Sequence, residues 1–153
     1  MCGYRQAYPG RAVYFVGMSA GCEVLLSAAE LLPPDSIDRI VLLAPSVCAY
    51  RDLRPALRAA GGIDVFSSHK DRLVLGLGIR VTGTTEGGCR AAAGRTGFRP
   101  VITSPDDAAL YQRLRQYPWQ PAQRAYGNDG GHFGSTQPEF LRSHVVPLLC
   151  PSR

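Results

Sequence analysis

The sequence predicts an α/β fold, built on a mostly parallel sheet of about four strands with helices on both sides. Short apolar runs rich in β-branched and aromatic residues alternate along the chain with segments of helical periodicity. The apolar runs show little polar alternation, which is typical of parallel strands buried on both faces. Neither a repeat nor a linker divides the 153 residues, so residues 1–153 are expected to form a single domain.

The first half of the chain contains three predicted strands. The segment RAVYFVG, which ends at Gly17, is the first of them, and a helix follows from about Ala20 to Leu32, before two prolines. The second strand is expected at about Asp38 to Leu43. A short helix in RDLRPALRAAGG then leads to a third strand at about Ile63 to Ser67.

The second half has weaker patterns. Seven glycines lie between Gly76 and Phe98, and this stretch predicts an irregular loop with room for a short hairpin. Ser104 with Pro105 is typical of a helix start, and the helix is expected to reach about Gln116. The segment PAQRAYG predicts a weak fourth strand, and QPEFLRSHVVPLL a closing amphipathic helix.

Composition excludes several classes of protein. The net charge is +5, but the basic residues are scattered and form no basic-aromatic motif, so the sequence argues against nucleic-acid binding. The five cysteines are odd in number and contain no CxxC pair, which argues for reduced thiols and against a zinc site. No apolar run is long enough to span a bilayer, and the N-terminus lacks the apolar segment of a signal peptide. A cytoplasmic location is the expectation.

A serine between two glycines is the main chemical signal. Residues 17–21, Gly-Met-Ser-Ala-Gly, fit the pattern G-x-S-x-G at a junction between a predicted strand and a predicted helix. In that setting Ser19 projects above the sheet near the helix N-terminus, and the N–H of Ala20 points at a developing oxyanion. The alternative is a tight glycine turn whose serine only caps the helix.

A nucleophilic serine needs a base and an orienting carboxylate. His132 is the candidate base, because glycines surround it in a loop between the last predicted strand and the closing helix. Asp71 is the candidate acid, since it follows the third strand at the carboxyl edge of the sheet. Asp129 is the second choice of acid, and a helix-capping role for Asp71 stays open. His69 and His144 compete poorly as the base.

These residues together resemble the C-terminal half of an α/β-hydrolase, from the nucleophile turn onward. VYFVGMSAG resembles the nucleophile strand and turn, IDVFSSHKDRLV the acid strand, and YGNDGGHFGS the histidine loop. The order of Ser19, Asp71 and His132 is also that of the family. The resemblance implies hydrolysis of ester-like bonds by this triad, with no metal or cofactor.

The sequence departs from the family in two respects. His132 follows Asp71 by 61 positions, which exceeds the usual interval, so the glycine-dense stretch and the helix near Ala108–Gln116 are expected to be an insertion, such as a flap. Only eleven residues precede AVYFV, whereas the family has about four strands there and a loop that supplies a second oxyanion donor. Losing one such donor costs about 10²–10³ in rate. The chain is therefore expected to be a fragment of a longer enzyme, a homodimer paired through the exposed strand near Val13–Val16, or a degenerate relative.

The leading interpretation is a serine hydrolase that cleaves an ester, thioester or lipid-like acyl substrate. Ser19 would attack the carbonyl, His132 would carry the proton, Asp71 would orient His132, and Ala20 would supply one oxyanion donor. The alternative is a non-catalytic domain of the same fold that binds a ligand or partner. An anion-binding module that uses the arginines of the glycine-dense stretch is a third, weaker option.

Overall fold

A four-stranded sheet forms the centre of the molecule in a computed structural model that describes residues 2–71 and 91–150. All strands are parallel and follow one another in chain order: β1 (Tyr14–Met18), β2 (Arg39–Leu43), β3 (Ile63–Ser67) and β4 (Leu114–Pro118). This confirms the predicted α/β class. The first three strands also lie where the apolar runs place them.

Helices connect the strands and close the chain. The α-helices of the described residues are α1 (Cys2–Ala7), α2 (Gly21–Glu30), α3 (Arg54–Ala59), α4 (Ala93–Thr96), α5 (Pro105–Tyr111), α6 (Pro138–Phe140) and α7 (Val146–Leu149). In the described part of the chain, two 3₁₀ helices span Pro121–Tyr126 and Gly134–Thr136, and a π-helical turn, Leu141–Val145, joins α6 to α7. The predicted start of α5 is confirmed, because the Ser104 hydroxyl accepts the N–H of Asp107 at 3.1 Å.

Helices cover both faces of the sheet. On one face, α2 and α3 pack on β2 and β3 through Leu26, Leu57 and their apolar neighbours, including Leu42 and Val65. On the other face, the closing helical segment inserts Phe140 against the remaining side chains of β2 and β3. Burial on both faces explains why β2 is apolar after Arg39 and why β3 is mostly apolar.

Two sequence predictions about the fourth strand are wrong. PAQRAYG does not form a strand, because Pro121–Tyr126 is a 3₁₀ helix that Gln120 caps. The strand lies at Leu114–Pro118 instead, and its first three residues belong to the segment expected to continue the preceding helix, which ends at Tyr111. β4 is an edge strand with three exposed or half-exposed polar positions, so its side chains lack the apolar run that identifies the central strands.

The prediction of an insertion that forms a flap is also wrong in part. α5 does not form a flap: it belongs to the crossover from β3 to β4, and the hydroxyl of Tyr111 accepts the N–H of Leu53 at the start of α3. Residues 76–90 of the glycine-dense stretch lie outside the described residues. Its final part forms α4, which is bonded to the loop after β2 through the N–H groups of Ala93 and Gly94.

β1 lies at the other edge of the sheet and exposes apolar side chains. It pairs with β2 alone among the described strands, and Tyr14 and Val16 are 37% and 46% exposed. Such an edge can pair with another strand. Pairing with a second copy through Val13–Val16 stays a prediction.

A buried carboxylate spans three strands on the face of the closing helix. Asp64 of β3 is fully buried and binds Arg39 of β2 at 2.6 Å, Arg115 of β4 at 2.9 Å and the Tyr117 hydroxyl at 3.0 Å. Burial raises the pKa of Asp64, and the hydrogen bond from Tyr117 and the charge of Arg39 oppose that rise.

The sequence predicts that the cysteines are reduced thiols, and the structure confirms this for only some of them. Cys22 and Cys150 are free, but Cys48 is disulfide-bonded. Because disulfides are typical of oxidising compartments, the argument from thiols for a cytoplasmic location no longer holds. Within the described residues, no helix has the length and apolar character that crossing a membrane requires.

Candidate active site

Ser19 lies at the sharp turn between β1 and α2. Its φ of +52° falls in the left-handed region that residues with a side chain rarely adopt, and its N–H donates to the carbonyl of Leu43. Gly17 lets the helix approach, because a Cβ there would lie 2.5 Å from Leu25 Cδ1. Gly21 has open space around it, so close packing explains the first glycine of the motif and not the second.

The three predicted triad residues meet at the carboxyl edge of the sheet. His132 Nε2 lies 2.9 Å from Ser19 Oγ, and His132 Nδ1 lies 2.6 Å from Asp71 Oδ2. The Asp71 side chain is fully buried, and that of His132 is 10% exposed. The structure therefore brings together residues separated by up to 113 positions in an unbroken hydrogen-bonded chain.

The chemistry of the three groups fixes the direction of these hydrogen bonds. An ionised carboxylate only accepts, so a neutral His132 donates its Nδ1 proton to Asp71. Nε2 is then an acceptor, and the hydroxyl of Ser19 donates to it. This is the arrangement in which an imidazole can remove the proton of a serine.

A hydroxyl joins the acid turn to the histidine loop. Ser68 donates to the carbonyl of Gly130 at 2.6 Å and accepts the N–H of Lys70 at 3.2 Å. On the far side of the loop, Trp119 Nε1 donates to the carbonyl of Asn128 at 3.0 Å. These contacts hold the loop on both flanks and so set the separation of Asp71 and His132.

The competing acid, bases and thiol have other roles. Asp129 is exposed, and its carboxylate accepts the N–H of Gly131 at 2.8 Å. The ring of His69 packs against Trp119, and the ring of His144 packs against Phe140 and Tyr126. Cys22 is fully buried, and burial raises the pKa of its thiol to about 12, which keeps it protonated.

Ala20 offers a hydrogen-bond donor beside the serine. Among the described residues, its N–H has no hydrogen-bond partner, and Ala20 is exposed just before the first residue of α2. A free N–H at this position can stabilise negative charge on an oxygen bound near Ser19.

Sequence reasoning missed Ser46, Ser68 and Gly94. Ser46 Oγ lies 3.0 Å from Ser19 Oγ, and the Ser46 N–H donates to the Ser19 carbonyl at 3.2 Å. A signal was present, because Ser46 and Ser68 follow the predicted second and third strands and so belong to the same sheet edge as Ser19. Gly94 carried no such signal, since it is one of seven glycines in its stretch.

Gly94 fits between the loop after β2 and the turn after β3. Its N–H donates to the carbonyl of Pro45, and its own carbonyl accepts the N–H of Ser68. A Cβ at Gly94 would lie 2.8 Å from backbone atoms of Ala44 and Pro45, so no side-chain rotation relieves the clash. Gly94 therefore allows these two segments to approach closely.

Gly94→Ala is expected to lower the free energy of unfolding by about 1–3 kcal/mol, because the backbone beside Ser46 must move. Urea denaturation measures the change. Gly21→Ala is the control, since the space there is open and alanine favours a helix. Equal stabilities of the two variants would contradict the assigned role of Gly94.

Comparison with family models, with curated proteins and with solved structures finds no match to this chain. Within residues 2–71 and 91–150, no three His, Cys, Asp or Glu side chains form a group that could hold a metal ion.

Proposed function

We propose that this chain is a serine hydrolase of the α/β-hydrolase type that cleaves an ester, thioester or lipid-like acyl bond. The observation that carries the proposal is the hydrogen-bonded chain from Ser19 through His132 to Asp71, at 2.9 Å and 2.6 Å. The left-handed backbone of Ser19 supports it, because strain of this kind collects at functional sites.

The first step is attack of Ser19 Oγ on the substrate carbonyl carbon. The Oγ–H bond breaks as the Oγ–C bond forms, His132 Nε2 takes the proton, and the carbonyl electron pair moves onto oxygen. Asp71 balances the charge of the imidazolium in a buried setting. The N–H of Ala20 donates to the new oxyanion.

Collapse of this intermediate expels the alcohol or thiol, which leaves with the proton returned by His132. Water then attacks the acyl-enzyme, with His132 again as the base, and releases the carboxylic acid and Ser19. The ring of Phe133 is 58% exposed and lies edge-on to His132, with 5.2 Å between ring centroids. An apolar surface beside the base favours an acyl or aromatic group in the substrate.

Covalent labelling tests the proposal. A fluorophosphonate transfers its phosphonyl group to an activated serine: the Oγ–P bond forms, the P–F bond breaks, and fluoride leaves. We expect mass spectrometry of digested, labelled protein to find the adduct on the peptide that contains Ser19. No adduct, or one on another serine at the same rate, would contradict the proposal.

The alternative is a domain of this fold that binds a ligand or a partner without cleaving it. It is favoured by the exposed edge of β1, where Tyr14 and Val16 are 37% and 46% exposed. A stable complex between chains in sedimentation, together with an unlabelled Ser19, is the result that this alternative predicts.

A further inference from the structure

Ser46 presents a second hydroxyl to the nucleophile. The two oxygens, Ser19 Oγ and Ser46 Oγ, are 3.0 Å apart, and Ser46 is only 7% exposed. From the geometry we infer that Ser46 is a fourth member of the site, which donates a hydrogen bond to Ser19 Oγ and fixes its orientation. This inference rests on the proposed function, because it assigns a role in the same reaction.

The positions of the protons determine which hydroxyl, that of Ser19 or that of Ser46, donates the hydrogen bond between them. The single proton of the Ser19 hydroxyl is committed to His132 Nε2, because Nδ1 holds the proton that faces Asp71. Ser19 Oγ can therefore only accept from Ser46. One lone pair of Ser19 Oγ then takes the hydrogen bond, and the other is left to form the bond to the carbonyl carbon.

The loop that carries Ser46 is held in an unusual conformation. Ala44, the residue after β2, has a φ of +44°, in the left-handed region that alanine rarely adopts. The carbonyl of Pro45 accepts the N–H of Gly94, and the N–H of Ser46 donates to the carbonyl of Ser19. The surrounding structure thus imposes a strained turn that places the Ser46 hydroxyl against the nucleophile.

During attack, Ser46 keeps its own proton. Its hydrogen bond holds Ser19 Oγ in one rotamer while the Ser19 proton moves to His132 and the Oγ–C bond forms. Without this bond, the Ser19 side chain can also turn away from His132. Removal of this hydrogen bond is therefore expected to lower the rate of the covalent step and to leave the affinity for the reagent unchanged.

The test compares rates of fluorophosphonate labelling in the full chain. We expect Ser46→Ala to lower kinact about three- to tenfold, with KI changed less than about twofold. Ser46→Thr keeps the hydroxyl and is expected to restore most of the rate. Ser135→Ala is the matched control: Ser135 is also 7% exposed, and its buried Oγ has no hydrogen-bond partner among the described residues.

The outcomes separate this inference from the proposed function. Wild-type labelling at Ser19, with an unchanged rate in Ser46→Ala, overturns the role of Ser46 alone. Equal losses in Ser46→Ala and Ser46→Thr also overturn it, since they indicate altered packing. An unlabelled wild-type chain contradicts both. Should Ser46→Ala fail to fold, Ser46→Cys keeps the branching of serine but offers only a weak S–H donor, and the same loss in kinact is expected.

Discussion

Ser19→Ala is expected to abolish fluorophosphonate labelling and to lower the hydrolysis of p-nitrophenyl acetate by about 10⁶-fold relative to the wild-type chain. The reason is that the Ser19 oxygen is the only described hydroxyl in contact with His132 Nε2. Removing it leaves no atom to form the acyl bond. Loss of labelling measured by intact mass, with an unchanged far-ultraviolet circular dichroism spectrum, is the expected observation.

A second substitution at the same position separates chemistry from backbone strain. Ser19→Gly also removes the nucleophile, but glycine adopts a φ of +52° without steric cost. We expect its free energy of unfolding to exceed that of Ser19→Ala by about 0.5–1 kcal/mol, after the extra chain entropy of glycine is included. Label retained by either variant would place the reactive serine elsewhere.

Asp71→Asn is expected to reduce the labelling rate by about 10³–10⁴-fold. An amide in place of the buried carboxylate can present its NH₂ group to His132 Nδ1, which then becomes the acceptor. The ring proton moves to Nε2, and Nε2 can no longer take the proton of Ser19. The shape of the side chain is nearly unchanged, so the loss reports the position of one proton.

Asp129→Asn is the matched control for this experiment. Asp129 is three residues from His132 and is the second candidate acid in the sequence, but it is exposed and its carboxylate accepts the N–H of Gly131. Asparagine can accept the same N–H, so labelling is expected to stay within about twofold of the wild-type rate. A larger loss in Asp129→Asn than in Asp71→Asn would reverse the assignment of the acid.

The central part of the fold was predictable because its residues face the core on both sides. β2 and β3 are mainly apolar and buried, and α2 buries one face at helical spacing, as the sequence pattern predicts. The pattern does not identify that face fully, because Val24 and Leu31 of the predicted helix are 68% and 86% exposed. β4 was not predictable, since an edge strand with exposed Arg115 and Gln116 needs no apolar run. Its position is set by pairing with β3 and by the side chain of Gln116, which bonds Phe98.

The three residues of the site were predictable from their places after strands and beside glycines. In a parallel sheet the carboxyl ends of the strands meet at one edge, so Ser19 and Asp71 had to lie near each other. The role of Ser46 could not be read from the sequence, because it depends on the left-handed turn at Ala44. No local pattern indicates that turn, which is imposed by packing against Gly94.

The carboxylate of Asp64 has a consequence for alignment of the chain during folding. Its partners Arg39 and Arg115 lie on the two neighbouring strands, β2 and β4. Both ion pairs of Asp64 therefore form only when β3 is in register with each of these strands. If either neighbour slipped by two residues, about 6.6 Å, an arginine would leave Asp64 in an apolar interior with less compensation. Misaligned sheets are therefore penalised electrostatically as well as sterically. Because Asp71 follows the same strand, this penalty also protects the geometry on which Ser19 and His132 depend.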